Sequence, residues 1–125
     1  MVNFRKHTLT SGLDIYAGKN AENNDELIRT ARKTDILLHT ETPGSPFVNI
    51  GSDATNEEIG EATIFCAKHS QEWRDNKRDV AVNVFKRNNM KKGIFMKKGT
   101  WNVKKYFDTI KVKKIDIIKF EKNMS

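Results

Sequence analysis

The sequence predicts an α+β domain: a mixed, largely antiparallel sheet with one long helix and one short helix packed on it. Two observations carry this. Short apolar runs bounded by turn residues outnumber helical stretches, and several are joined by connections short enough for hairpins. In the middle of the chain a single longer stretch, opened by a capping signal, carries its small and apolar residues at helical spacing.

Taken in order, residues 4–10 and 13–17 are apolar runs flanking Ser11-Gly12 and read as a hairpin around a tight turn. Gly18-Lys19-Asn20 and the Asn-rich run 20–24 supply turn chemistry and an N-cap. Asp25 and Glu26 then suit the positive end of a short helix that buries Leu27, Ile28 and Ala31. Ile36-Leu37-Leu38 within residues 35–41, and Phe47-Val48-Asn49-Ile50, read as two strands joined by a loop that holds both prolines, Pro43 and Pro46, with Gly44 permitting the reversal. Thr55 and Glu58 fit a capping box, and Ile59, Ala62, Cys66, Ala67, Ser70 and Trp73 form the inward stripe of one long helix. After a turn at 75–78, Val80, Val82 and Val84 alternate with Ala81, Asn83 and Phe85 as a strand. A basic loop at 86–93, a short strand at 94–96 and a second basic turn at 97–100 follow. Between residues 107 and 118, Ile110 and Val112 alternate with Lys111 and Lys113, which predicts a final strand with lysines on one face.

A chain of 125 residues fits one domain, expected over 1–120, with a frayed tail at 121–125. The single Cys66 cannot form an internal disulfide, so a reducing, cytoplasmic setting is expected. Residues 1–10 lack an apolar signal core, and nothing approaches the roughly 18 apolar residues of a membrane span; no membrane insertion is expected. The net charge of +7 is unevenly distributed. Residues 1–73 carry 7 Lys/Arg against 11 Asp/Glu, whereas residues 74–125 carry 16 against 5. A field of that sign and density concentrates polyanions and is a footprint of phosphate-backbone binding.

The basic residues Lys86, Arg87, Lys91, Lys92, Lys97, Lys98, Lys104 and Lys105 interleave with Phe95, Trp101 and Tyr106. Lysines neutralise phosphates while exposed aromatics stack on unpaired bases. The alternative is a solvated lysine face with the aromatics in the core, which is expected for Phe95 and left open for Trp101. Cys66 and His69, three apart on the long helix, are expected to be packing residues, because a zinc site needs three or four ligands. Asp35 is expected to fix the preceding turn or pair with a nearby cation rather than act as a base, Ser45 lies in no nucleophile-elbow pattern, and no glycine-rich nucleotide loop occurs. No catalytic constellation, metal site or cofactor is expected.

Four separated motifs occur in a recognisable order: Ile15-Tyr16-Ala17-Gly18-Lys19-Asn20, Asn24-Asp25-Glu26-Leu27, Asp35-Ile36-Leu37-Leu38-His39, and Pro43-Gly44-Ser45. Together they resemble the NFACT-R domain, the RNA-binding module of ribosome quality-control factors that act on obstructed large subunits, which also occurs as small stand-alone proteins. Two positions depart from the family pattern. Leu37 stands where Trp is usual, and Pro46-Phe47-Val48 replaces the usual His-Val, so of the two motif histidines only His39 carries over. The resemblance implies an RNA-contacting set that includes Lys19, Asn20, His39 and Ser45 beside the basic residues above and Trp101. His39 is placed either to bond a phosphate or base edge, or to bond the loop backbone.

The expected function is therefore non-catalytic RNA binding, with tRNA or rRNA as partner, in ribosome quality control or another translation-related setting that extends to the large ribosomal subunit. Two other readings stay open: an accessory subunit that presents tRNA to a modification enzyme, and a basic interaction module for an acidic protein or membrane surface.

Overall fold

A computed structural model of the chain describes residues 3–92, 98 and 101–124. Strands β1 (Arg5–Thr8) and β2 (Asp14–Ala17) form the expected hairpin, with Gly12 in the left-handed region at φ +96°. Helix α1 (Ala21–Thr30) is capped by Asn20, whose side chain accepts from the Asn23 N–H. Strands β3 (Ile36–Thr40) and β4 (Val48–Asn49) flank the proline loop, and α2 (Asn56–Lys68) opens on the capping box made by Thr55 and Glu58. Helix α3 (Gln71–Asn76), strand β5 (Val80–Lys86), the small pair β6 (Met90–Lys91) and β7 (Asn102–Val103), strand β8 (Asp108–Val112) and helix α4 (Lys114–Met124) complete the chain.

The main sheet has six strands in the order β1-β2-β4-β3-β5-β8, with every neighbouring pair antiparallel. Because side chains alternate across a strand, each strand feeds two layers. Ile15, Ala17, Ile36, Leu38, Val48, Val80, Val82, Val84 and Val112 face one side, where they pack with Ile59, Ala62, Phe65, Cys66, Trp73 and Ile117 of the helices α2, α3 and α4. Leu37, Phe47 and Phe85 face the other side and pack with Leu27 and Ile28 of α1 and with Met90, alongside Trp101 and Val103. The second layer covers only part of its face, and a cleft opens beside it.

Three expectations are corrected. The long helix of residues 55–73 is two helices, because Ser70 interrupts it: its hydroxyl donates to Ala67 O at 2.6 Å and accepts from the Trp73 N–H at 3.1 Å, capping a new helix. The strand expected over 107–118 ends at Val112, and residues 114–124 form α4, in which the run 121–124, expected to fray, is helical. Asp79 Oδ1 accepts from the Lys114 N–H at 2.8 Å at its start, Ile117 is fully buried, and the Trp73 indole donates to Glu121 at 3.1 Å. Burying a side chain of that size contributes roughly 1.5–3 kcal/mol, which decides the helix over a strand that would leave Ile117 in water. Finally, α1 begins four residues before Asp25, so this carboxylate lies inside the helix and is buried rather than sitting at its positive end. With α1, α2, α3 and α4 the α-helices number four among the described residues, on both faces of a sheet without parallel pairs. The strand expected at 94–96 lies outside the described residues.

Candidate nucleic-acid interface

The cleft holds about 570 Å³ and is built from both ends of the chain. That volume is within the range of roughly 300–1,000 Å³ typical of small-molecule pockets. Its floor is the open part of the sheet. His39 of β3 and Asn83 of β5 are direct cross-strand partners, so their side chains stand side by side on this face. Aromatic rings continue the floor: His39 lies 4.4 Å from Phe47, Phe47 6.4 Å from Phe85, and Phe85 6.0 Å from Tyr106. Tyr106 is 50% exposed, which leaves much of its ring in water at the cleft mouth.

The walls are two loops whose glycines leave no room for a Cβ. Gly18 N–H donates to Phe47 O at 3.1 Å, and the Phe47 N–H returns a bond to Asn24 Oδ1 at 3.1 Å. A Cβ on Gly18 would lie 2.9 Å from the Asn24 Cα and collide with its amide group. Gly44, at φ +94°, accepts from the Gln71 N–H at 2.8 Å, and a Cβ there would meet the Gln71 Cβ at 2.7 Å. The Gly-Lys-Asn turn and the Pro-Gly-Ser loop are thereby fixed against the same cleft that His39 lines.

His39 has a defined protonation. Its Nδ1 lies 2.7 Å from Thr40 O, and a carbonyl oxygen only accepts, so Nδ1 carries the proton. Burial holds the imidazole below its ordinary pKa, outweighing the Thr40 bond, which acts the other way. The ring is neutral at pH 7, and Nε2 is left as an acceptor.

Among the described residues, Arg5, Lys19, Arg74 and Lys98 stand around the cleft with a single carboxylate, Glu41. Arg5 Nη1 donates to His69 Nδ1 at 3.0 Å, and Arg74 donates to His69 O at 3.2 Å and to Gln71 Oε1 at 3.1 Å. His69 therefore gathers two guanidinium groups at one end. Burial, and after it the charges of Arg5, Lys68, His7 and Arg74, push its pKa down to about 4.

Of the residues expected to touch RNA, the structure brings Lys19, Asn20, His39, Ser45, Lys98 and Trp101 to this one cleft. Lys86, Lys91, Lys104 and Lys105 are exposed but do not line it. Lys97 lies outside the described residues. Several have internal duties. Ser45 Oγ accepts from the Thr40 N–H and donates to Pro46 O, both at 3.0 Å, holding the proline loop. Asn20 caps α1. Arg87 Nε donates to Ile28 O at 2.7 Å, satisfying a carbonyl in the last turn of α1. Lys92 pairs with Asp25 at 3.2 Å, and Trp101 Nε1 donates to the same carboxylate at 2.9 Å. Arg87 and Lys92 lie 5.2 and 5.0 Å from the Trp101 ring centre, so this indole is an anchor as well as a cleft wall. Lys92 and Arg87 are thus committed to the protein to a degree their sequence neighbours are not.

Arg5, Arg74 and Asn83 were not foreseen. Asn83 had a readable signal, a polar residue inside an apolar strand; the two arginines had none, since only folding brings residues 69 apart in sequence to one rim. Cys66 is buried, with its thiol pushed up to about 12 by burial, and acts as core. Among the described residues no group of three potential metal ligands converges, and no helix is long and apolar enough to cross a membrane.

Comparison with known proteins agrees with this architecture. A search of curated proteins finds no match. Among solved structures, the C-terminal part of the fibronectin/fibrinogen-binding protein from Streptococcus suis superposes with a TM-score of 0.80 over 89% of this chain, at 23% identity, which establishes a shared fold. The chain corresponds to 45% of that solved chain. Residues 1–105 match the family described as the NFACT protein RNA binding domain, a match that includes every cleft-lining residue except Tyr106, and the chain belongs to that family.

Proposed function

We propose that the protein is a non-catalytic, cytoplasmic RNA-binding factor that engages tRNA or rRNA, in ribosome quality control or a neighbouring step of translation. The observation that carries the reading is the cleft itself: an aromatic floor with a neutral histidine, ringed among the described residues by Arg5, Lys19, Arg74 and Lys98 against Glu41, in a chain that belongs to an RNA-binding domain family. Cations hold phosphates without regard to sequence, and the exposed π-surface rewards bases that are not already stacked. The charge of residues 74–125 extends the positive field beyond the cleft, through exposed Lys91, Lys104 and Lys105, and would steer a long polyanion toward it.

Fluorescence anisotropy with labelled tRNA, isolated ribosomal subunits and a DNA duplex of matched length tests this. Tighter binding to tRNA or a subunit than to DNA, weakening as salt rises, is expected. Equal affinity for all three, or none at low salt, overturns it.

A further inference from the structure

On the floor of the cleft, His39 and Asn83 form a fixed acceptor–donor pair. Thr40 O accepts a hydrogen bond from the His39 Nδ1–H, leaving Nε2 as an acceptor. Thr109 Oγ1 donates to Asn83 Oδ1 at 2.8 Å, which orients the amide so that Nδ2 remains a donor. Neither His39 Nε2 nor Asn83 Nδ2 has a protein partner among the described residues, and neither is a sealed, unsatisfied atom. The two residues are direct cross-strand partners and both line the same cavity.

A ligand matching this pair presents a donor beside an acceptor. The Watson–Crick edge of every RNA base does so: N6–H and N1 of adenine, N1–H and O6 of guanine, N4–H and N3 of cytosine, N3–H and a carbonyl of uracil. In a duplex that edge is consumed by the partner base. From the pairing of His39 and Asn83 across adjacent strands in this cleft, with the His39 Nε2 acceptor and the Asn83 Nδ2 donor left without protein partners among the described residues, we infer that the site takes one unpaired nucleotide, whose Watson–Crick edge meets the pair. The half-exposed Tyr106 ring offers a stacking surface at the mouth, and Arg5, Arg74, Lys19 and Lys98 supply cations for the flanking phosphates. Since all four bases carry the required edge, the site selects for an unpaired base rather than for a particular one. This inference rests on the RNA-binding reading and adds which part of an RNA enters the cleft.

Three RNAs of equal length and charge separate the possibilities: a hairpin with an unpaired loop, the same hairpin with abasic loop positions, and a blunt duplex. Anisotropy titrations at constant salt are expected to show the intact hairpin binding roughly tenfold tighter than the other two. His39→Ala and the isosteric Asn83→Asp, which turns the donor into an acceptor while preserving the Thr109 bond, should each remove the advantage of the intact over the abasic hairpin. His39→Gln, which restores an acceptor, should recover part of it. In parallel, the His39 ring resonances should shift when 5′-nucleoside monophosphates are titrated into the folded protein, a readout that needs no variant. The inference is overturned if the abasic hairpin binds as well as the intact one, or if the advantage survives in both His39→Ala and Asn83→Asp. In those cases duplex binding persists and RNA binding itself stands; if none of the three RNAs binds, both readings fall together.

Discussion

The indole N–H of Trp101 donates to the carboxylate of Asp25 at 2.9 Å, and that carboxylate, 3% exposed, also receives Lys92 at 3.2 Å. Asp25 belongs to α1 and its partners flank the β6–β7 pair, so one buried charge ties the basic segment to the helix beneath it. Asp25→Ala leaves a largely buried ammonium and an indole donor without this acceptor and should cost about 3–5 kcal/mol in urea denaturation. Asp25→Asn retains an acceptor for Trp101 and should cost about 1–3 kcal/mol. If both variants unfold at the parent's midpoint, the carboxylate does not hold the segment.

The two tryptophans report on different places. Trp73 is buried against α4, whereas Trp101 lines the cleft. Intrinsic fluorescence should therefore change when tRNA binds, and Trp101→Phe should abolish most of that change while leaving a protein that still melts cooperatively. An unchanged response in Trp101→Phe would place the bound RNA away from the cleft.

Each lysine that meets a phosphate releases condensed counterions, giving a slope of log affinity against log salt of about −0.7 to −0.9 per contact. Lys91, Lys98, Lys104 and Lys105 are exposed and have no carboxylate partner among the described residues. Replacing all four with Gln should flatten the slope by roughly three units with little loss of thermal stability. Lys92→Gln should behave in the opposite way, lowering stability through Asp25 more than it alters the slope. An unaltered slope in the quadruple variant would make these lysines a solvated face only.

His69 is neutral in the fold because it is partly buried beside Arg5, Lys68, His7 and Arg74. Its folded pKa lies below the unfolded one, so the unfolded chain takes up the proton first and stability falls as pH falls. The loss should run from about 6.5, the ordinary value, down to about 4, and level off below that. Discounted for the ring's partial contact with solvent, it should amount to roughly 1–2 kcal/mol, with His39 adding in the same direction. Urea denaturation at several pH values should show this slope in the parent and a flatter one in His69→Gln.

Gly18→Ala should push the Asn24 side chain out of place and break its bond to the Phe47 N–H, loosening the cleft wall. The expected cost is about 2–4 kcal/mol, visible in thermal melts, with weaker RNA binding even well below the melting temperature. Gly12→Ala, where a Cβ meets nothing but φ is +96°, should lose less stability and leave binding intact.

Much of this protein was legible locally. The alternating valines of β5, the Ser11-Gly12 hairpin, the Asn20 cap and the Thr55–Glu58 capping box each act over a few residues, so their chemistry is complete within the sequence. The ordered motifs likewise carried the family. Lys111 and Lys113 misled at the C-terminus, because their alternation with Ile110 and Val112 is genuine in β8 but stops there; burial of Ile117 against the helical layer, a long-range term, makes the rest α4. The choice among the basic residues was also hidden. Lys91 and Lys92 are adjacent and chemically alike, yet only Lys92 reaches a buried carboxylate 67 residues away, and Arg87 is spent on the last turn of α1. The sequence by itself determined the alternation of strands, the caps, the net positive field and the histidine in its motif, since these depend on residue type and spacing. Which cations remain for a ligand, and that Arg5, Arg74 and Asn83 join His39 at one cleft, was decided only by the tertiary structure, because antiparallel pairing and helix packing set distances that no local pattern contains.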